Sequence, residues 1–145
     1  MDNLFSEDWA LVGVVDPDAN TAAEYLTGVI DMSLWEQVAV IGVVGDLGAS
    51  ASVAFSVTSS ATSGGTYAAV SGKSVTVGGT SPNTGSNTQV IINVRSEEIT
   101  SNNRYVKVAM TVATATSDCA LVVVGKARLK PAYENDVSTV SSITN

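Results

Sequence analysis

Short stretches in which hydrophobic and polar residues alternate run along most of the chain, and turn-forming residues separate them. Val53, Phe55 and Val57 occupy every second position, which places them on one face of a predicted strand. Residues 89–95 and 104–114 alternate in the same way. Stretches with a helical repeat and the length of a helix are absent from the sequence. The pattern therefore predicts a protein built from half-buried strands.

Other stretches predict strands of a different kind or breaks between strands. Residues 37–44 form an almost continuous apolar run, which is typical of a strand buried on both faces. Residues 9–15 predict a short first strand, and residues 16–20 predict a loop because Pro17 lacks a backbone donor and its Asp and Asn neighbours favour turns. Residues 23–31 predict the next strand.

The turn signals divide the rest of the chain. Residues 71–73 predict a hairpin between two short strands, and the glycine-rich residues 78–87 predict a loop. We count about eight strands, with turns at intervals of roughly 8–12 residues, which is typical of a small sandwich or barrel. The predicted fold is an all-β antiparallel β-sandwich, with jelly-roll and immunoglobulin-like topologies equally compatible. The predicted organisation is an amino-terminal arm and first strand (1–20), the β-sandwich (21–130) and an extended or disordered tail (131–145).

Composition supports the all-β prediction and removes most catalytic chemistry. The 145 residues include 23 valines, which fit pleated strands. They include no histidine, the commonest general base and metal ligand, and only one cysteine, Cys119, which excludes an intrachain disulfide. No apolar stretch reaches the ~18 residues that span a membrane. We expect no enzymatic activity, no catalytic residue, no metal, no cofactor and no membrane partner.

The net charge of −7 is carried by the first half of the chain. Residues 1–72 hold nine acidic and no basic residues, whereas residues 73–145 hold seven basic and five acidic residues. Because nucleic-acid affinity depends on Lys and Arg, we expect no nucleic-acid partner. The asymmetry indicates that the acidic half faces a cationic surface, either the chain's own second half or a partner. The alternative interpretation is that the net charge keeps a valine-rich protein dispersed.

Two acidic motifs are similar to functional sites but lack the residues that those sites require. Residues 16–20 begin like a calcium loop, but Thr21 stands where the turn glycine belongs and Thr27 where the bidentate glutamate belongs. Glu97 and Glu98 are adjacent, so their carboxyls diverge instead of facing each other as a glycosidase pair does. We expect a plain turn at the first motif and a solvated loop at the second.

The last predicted strand carries a row of cations. Lys126, Arg128 and Lys130 alternate with Ala127 and Leu129, so a regular strand would place all three cations on one side. Such a stripe either protects an edge strand from aggregation or contacts an acidic partner surface.

The aromatic residues and the cysteine have simpler interpretations. Trp35 is predicted to anchor the core, Trp9 to pack on a neighbouring subunit, and Cys119 to be a buried small hydrophobe. The candidate partner or subunit contacts are Trp9, Asp16, Asp18, Lys126, Arg128, Lys130 and Tyr133.

Five stretches together resemble small β-sandwich proteins of tailed-bacteriophage heads. They are Asp-Met-Ser-Leu-Trp-Glu at 31–36, the run at 38–41, Val-Ile-Ile-Asn-Val-Arg-Ser-Glu-Glu at 90–98, Arg-Tyr-Val-Lys-Val at 104–108, and the strand at 120–128. The resemblance covers roughly residues 22–130 and consists of packing residues. It implies a capsid cement, or decoration, protein that binds the outer surface of the phage head, in the virion after assembly in the host cytoplasm. Terminal arms of such proteins commonly contact the lattice, a role that residues 1–20 and 131–145 would take here.

Two partners follow from this interpretation, and one alternative function stands beside it. The expected partners are the major capsid protein lattice and further copies of the chain, most simply as a homotrimer, with a dimer also open. Self-association is predicted from the apolar run at residues 9–15 and from the cation stripe opposite an acidic half. The alternative is a carbohydrate-binding or tail-fibre β-sandwich module, which usually requires a row of exposed aromatic residues.

Overall fold

Two antiparallel sheets face each other in the computed structural model, which describes residues 4–80, 84–100 and 102–144. These residues form nine strands, one α-helix and two 3-10 helices. The helices are α1 (Phe5–Asp8) and two 3-10 helices (Ser96–Glu98 and Ala132–Asn135). The strands are β1 (Trp9–Asn20), β2 (Ala23–Leu26), β3 (Ile30–Asp31), β4 (Trp35–Val44), β5 (Ser52–Ser60), β6 (Ala68–Gly78), β7 (Thr88–Arg95), β8 (Tyr105–Ala113) and β9 (Ser117–Ala127).

The strand order identifies the topology. Sheet A contains β1, β9, β4 and β7 in that order, and sheet B contains β2, β8, β5 and β6. Strands β2 and β3 pair with successive parts of β8, so they form one interrupted edge strand. This arrangement of two four-stranded layers is a jelly roll. The predicted antiparallel β-sandwich is confirmed, and the jelly roll is the topology that the chain adopts.

The core lies between the two sheets and is built from the inward positions of alternating strands. The predicted inward set on β5, which includes Val53 and Phe55, is fully buried. Its partners across the core include Val38 and Val40 of β4 and Leu121 of β9. The two core predictions for single residues are confirmed, because Trp35 is 2% and Cys119 is 4% exposed.

The two bulkiest aromatic rings of the core each rest on a glycine. A Cβ placed on Gly42 would lie 2.6 Å from Cζ of Phe55, and one placed on Gly125 would lie 2.7 Å from Cδ2 of Trp35. A side chain at either glycine would overlap the ring. Because the two glycines have no side chain, the rings can fill the space between the two sheets at the packing density of a protein interior.

The first strand is longer than the sequence predicts. β1 continues through residues 16–20, which were predicted as a loop, and remains paired with β9 to its end. A register shift between Val15 and Asp18 surrounds Pro17. Since β1 is an edge strand of sheet A, a residue without an N–H donor is tolerated there.

Two other strand predictions are wrong in detail. The strand predicted at 23–31 is interrupted at residues 27–29, where the Thr27 hydroxyl accepts a hydrogen bond from the Val108 amide. The hairpin predicted at 71–73 does not form, because β6 runs through it with Gly72 at φ +72°. The register between β6 and β5 shifts at this point, so the extra residues form a bulge instead of a turn.

The carboxy-terminal segment, predicted as extended or disordered, lies against the edge of sheet A. Its 3-10 helix buries Ala132 completely. Beyond the helix, the Val137 amide donates a hydrogen bond to the Leu11 carbonyl at 2.7 Å, and the Leu11 amide donates to Asp136 Oδ1 at 2.6 Å. The segment therefore satisfies both backbone groups of one residue on the outer edge of β1.

Candidate functional site

One apolar row crosses all four strands on the outer face of sheet A, and Gln89 and Asn93 of β7 place polar side chains on either side of it. Val14, Val122, Ile41 and Ile91 are register neighbours, so they form one row that crosses β1, β9, β4 and β7. A second row begins with Leu11, Val124 and Ala39, and a third contains Ala120 and Val43. We call these nine side chains the apolar face: Leu11, Val14, Ala39, Ile41, Val43, Ile91, Ala120, Val122 and Val124.

Solvent reaches the apolar face, most of all on β4 and β7. Ile91 is 66% and Val43 is 42% exposed. The prediction that residues 37–44 are buried on both faces is therefore wrong, because only alternate residues of β4 face the core. Contiguous exposed apolar surface is unusual on a monomer and marks an interaction site.

The outer face of sheet B has the opposite character. Its central positions on β5 are Ala54, Ser56 and Thr58, and their register neighbours on β6 and β8 include Thr76 and Thr111. Small and hydroxyl-bearing side chains suit a face that meets water. The centre of the outer face is therefore more apolar on sheet A than on sheet B, although Leu26 of β2 is 50% exposed on sheet B.

A groove extends the apolar face beyond the β1 edge. It has a volume of about 550 Å³ and lies between the amino-terminal helix, the outer face of β1 and β9, and the carboxy-terminal segment. Leu11 and Val124 belong to both the groove and the apolar face. The groove walls are completed by Phe5, Trp9, Val140 and Ile143, among others. The apolar surface is thus continuous from β7 to the two terminal segments.

Charged residues lie at the two ends of sheet A and leave its middle apolar. We call the end that carries Asp16, Asp18, Asp46 and Asp118 the acidic end, and all four of these residues are exposed. The Asp118 amide donates to the Asp46 carbonyl at 2.8 Å, which joins β9 to the residues that follow β4 at this end. Lys126 of β9 and Arg95 of β7 lie at the other end of the sheet.

The three cations of the predicted stripe do not lie on one strand. β9 ends at Ala127 and lies between β1 and β4, so the edge-strand interpretation is wrong. The three cations instead bind three different elements. Lys126 Nζ lies 2.8 Å from Glu36 Oε2, Arg128 donates to Ser96 Oγ at 2.6 Å, and Lys130 pairs with Asp8.

Among the described residues, three ion pairs join the acidic first half of the chain to its basic second half. They are Asp8–Lys130, Glu36–Lys126 and Asp31–Arg104. Part of the cationic surface that faces the acidic half is therefore the chain's own second half, as one of the sequence interpretations proposed. Lys126 holds the pKa of the Glu36 carboxyl below its ordinary value, because the ammonium donates a hydrogen bond to it.

The Asp31–Arg104 pair is the best defined of the three. Arg104 donates two hydrogen bonds to the carboxylate, from Nε at 2.7 Å and from an Nη at 2.5 Å. These bonds, with a smaller contribution from Ser33, lower the pKa of Asp31 to about 2. The pair holds the corner between β3 and β4 against the start of β8.

The remaining predicted contact residues lie in separate places. Trp9 is half-buried and stacks on Phe5, with ring centroids 6.1 Å apart and an interplanar angle of 3°. Tyr133 is 45% exposed on the carboxy-terminal 3-10 helix. Trp9 is the register neighbour of Lys126, whereas Asp16 and Asp18 lie at the acidic end, so the predicted set is divided between the two ends of sheet A.

The polar groups near Cys119 form a structural contact. Asn20 Nδ2 donates to the Cys119 carbonyl at 2.8 Å, and burial raises the pKa of the thiol. In residues 4–80, 84–100 and 102–144, no group of three or more His, Cys, Asp or Glu side chains is placed to hold a metal ion. Glu97 and Glu98 lie in an exposed 3-10 helix, where Glu98 accepts hydrogen bonds from Lys73 and from the Arg95 amide.

Tyr67, just before β6, and Tyr105 of β8 each lie beside a cation. Lys107 Nζ lies 4.5 Å from the ring centroid of Tyr67, and the Arg104 guanidinium lies 5.3 Å from that of Tyr105. Each ring thus has a cation over one face. Across the described part of the chain, no helix is long and apolar enough to cross a membrane.

No known protein-family model and no curated protein matches the chain. Among solved structures, it is similar to a family 11 carbohydrate-binding module from Clostridium thermocellum in complex with a β-1,3-1,4-mixed-linked tetrasaccharide. The identity is 15%, the match covers 73% of this chain and 67% of that chain, and the TM-score is 0.35. It is also similar to a chain of Desmodium yellow mottle tymovirus, with 11% identity, 86% and 87% coverage, and a TM-score of 0.40.

Proposed function

We propose that the chain is a structural protein of a tailed-phage head, which attaches to the outer surface of the assembled shell and stabilises it. The observation that carries the proposal is the apolar face, where apolar side chains of four neighbouring strands lie side by side and Ile91 and Val43 are exposed. The resemblance of residues 22–130 to phage-head β-sandwich proteins supplies the kind of assembly. In this proposal, the protein resides on the virion surface after assembly in the host cytoplasm.

Such a protein acts by mass action. Binding to the assembled lattice but not to separated subunits shifts the equilibrium toward the intact shell, and many copies multiply a small gain at each site. The function requires a rigid body and complementary surfaces. The jelly roll supplies the rigid body, and the apolar face and its adjoining groove supply the surface.

The test uses heads that lack the protein and the full-length recombinant chain. We expect the chain to co-sediment with the heads and to raise the temperature at which they release DNA. Ile91→Asp places a charge on the apolar face and should abolish both effects. Thr76→Asp is the matched control, because Thr76 is an exposed, outward residue on the edge strand of sheet B.

Two outcomes would contradict the proposal. One is a chain that does not co-sediment with heads at any concentration, and the other is its absence from purified particles by mass spectrometry. Unchanged binding by Ile91→Asp would instead show that the apolar face is not the surface used.

A further inference from the structure

We propose that the outer face of sheet B binds an acidic oligosaccharide, one carboxylate of which contacts Lys107 beside Tyr67 and Tyr105. This face lies on the opposite side of the sandwich from the apolar face, so in the proposed function it would point away from the shell. The inference adds a second binding activity and does not depend on the first, because the two surfaces belong to different sheets. The class of ligand follows from the charge and the hydrogen-bonding groups of the outer face of sheet B.

Lys107 packs against an aromatic ring instead of an acid. Its Nζ lies 4.5 Å from the ring centroid of Tyr67, and the residue is only partly exposed. The other three lysines of the chain, Lys73, Lys126 and Lys130, each pair with a carboxylate. No carboxylate in the described part of the chain pairs with Lys107. A partly buried ammonium without a counter-ion favours an anion from outside the chain.

Tyr105 supplies a hydrogen-bond donor next to this cation. It lies two residues before Lys107 on the same side of β8, and its hydroxyl has no hydrogen-bond partner among the described residues. The Arg104 guanidinium lies 5.3 Å from the Tyr105 ring centroid, but Asp31 balances its charge. The cluster of these four side chains therefore has a net charge of +1, and Lys107 carries the charge that is not balanced.

The Tyr67 ring is held in place without a ligand. Its hydroxyl donates a hydrogen bond to the Ser63 carbonyl at 3.0 Å. Burial, with a smaller contribution from Tyr105, raises the pKa of Tyr67, so the phenol stays protonated and keeps this bond. Because the ring is fixed, the ammonium of Lys107 above it is also held at a defined position.

The rest of the face offers hydroxyl groups on a low floor. Ser56, Thr76 and Thr111 point outward, and in the described residues their hydroxyls have no hydrogen-bond partner. Ala54 lies between Thr76 and Thr111 in register, so a ligand can approach the sheet closely there. Lys107 and Thr111 are four residues apart, which is roughly 13 Å along the strand and gives room for a short oligosaccharide. Free hydroxyls beside an unbalanced cation suit a ligand that is rich in hydroxyls and carries a carboxylate.

The first experiment is calorimetric titration of the full chain with two oligosaccharides that differ only in charge. They are an oligogalacturonate and its methyl ester. We expect the oligogalacturonate to bind with a dissociation constant between about 10 μM and about 1 mM, and the methyl ester to bind about tenfold or more weakly. A glutamate oligomer with the same number of carboxylates represents an acidic peptide and should also bind about tenfold or more weakly.

Variants locate the site on sheet B. Lys107→Gln should weaken oligogalacturonate binding about tenfold, whereas Lys107→Arg keeps the charge and should retain most of the affinity. Tyr105→Phe removes the free hydroxyl but not the ring and should weaken binding about threefold. Lys130→Gln is the control, because it makes the same charge change after β9 of sheet A, at a lysine whose side chain is 53% exposed. It should leave the dissociation constant unchanged.

The inference and the proposed function fail separately. A wild-type chain that does not bind oligogalacturonate at about 10 mM would overturn the inference. Equal affinity for the methyl ester or for the glutamate oligomer would also overturn it, as would an equal loss in Lys107→Gln and Lys130→Gln. Lys107→Gln should still co-sediment with heads, and Ile91→Asp should still bind the sugar. A chain that binds the sugar but not heads would overturn the proposed function alone.

Discussion

The ring of Phe55, on β5 of sheet B, rests directly on the backbone of Gly42, on β4 of sheet A, so that a Cβ at position 42 would lie 2.6 Å from the ring. The contact joins the two layers at the centre of the core. It holds the β4 backbone at a fixed distance from the opposite sheet, which in turn fixes the height of the outward residues Ile41 and Val43. The position of these two residues on the apolar face thus depends on a glycine on the buried side of β4.

We expect Gly42→Ala to destabilise the protein by about 1–3 kcal/mol, because the added methyl group overlaps a ring that has no room to move. Gly28→Ala is the control, since nothing lies within 4 Å of a Cβ at that position. Denaturant unfolding followed by tryptophan fluorescence measures both variants. Equal stability of the two would contradict the packing described for Phe55.

Acid should weaken the fold through Asp31. The folded-state pKa of Asp31 is lowered from 3.8 to about 2 by Arg104, so its carboxylate stabilises the fold above pH 4, and this contribution is lost as the pH falls toward 2. In Asp31→Asn the contribution is absent at every pH. The stability difference between wild type and variant should therefore shrink between pH 4 and pH 2, as measured by urea unfolding. A difference that stays constant through this window would refute the assignment.

Cys119 should be almost inert in the folded protein. It is 4% exposed, and burial raises the pKa of its thiol, so little reactive thiolate reaches the solvent. We expect the native protein to react with Ellman's reagent ~100-fold or more slowly than the urea-unfolded chain. Thr76→Cys provides an exposed thiol for comparison. Equal reaction rates for native and unfolded wild type would show that the β9 start opens freely.

Asp136 should control how firmly the carboxy-terminal segment binds β1. Its carboxylate accepts a hydrogen bond from the Leu11 amide, and Asp136→Ala leaves that amide without its acceptor. We expect faster hydrogen exchange at Leu11 and Val137 and a loss of roughly 1–2 kcal/mol in the free energy of unfolding. Glu134→Ala removes the same charge from an exposed neighbour and should change neither. Unchanged exchange in Asp136→Ala would contradict this role.

Strands with clean alternation were predictable from sequence because their side chains divide between core and solvent. β5 and β7 are of this kind, with Val53, Val57 and Val94 all buried. Breaks inside strands were not predictable. Pro17 and Gly72 are strong local turn signals, but a bulge on an edge strand accommodates either residue without reversing the chain.

The sequence pattern does not predict the apolar face, because it does not show how many layers the fold has. The continuous apolar run of β4 was interpreted as a strand buried on both sides, which holds in three-layered folds where helices cover the sheet. A two-layered sandwich has no third layer, so every strand must present alternate residues outward. In an all-β sequence of this length, every second residue of a continuous apolar run should therefore lie on the surface. In β4, Ile41 and Val43 are such residues.

The prediction that one strand carries all three cations is wrong, because side chains alternate with a period of two only while the strand continues. β9 stops at Ala127, so Arg128 and Lys130 follow the path of the loop to their own partners, Ser96 and Asp8. The ion pairs between the two halves of the chain depend on the topology, which composition does not specify. Of the three cations, Lys126 alone lies within β9 and projects outward as predicted.

The close contact between the Trp35 ring and Gly125 predicts which substitutions related sequences can carry at these two positions. Because a Cβ at position 125 would overlap the indole, position 125 can gain a side chain only where position 35 holds a smaller residue. Homologues should keep the two together or replace them together, with a smaller residue at 35 wherever 125 gains a side chain. Covariation of positions 35 and 125 would therefore help to identify distant homologues whose overall sequence identity is low.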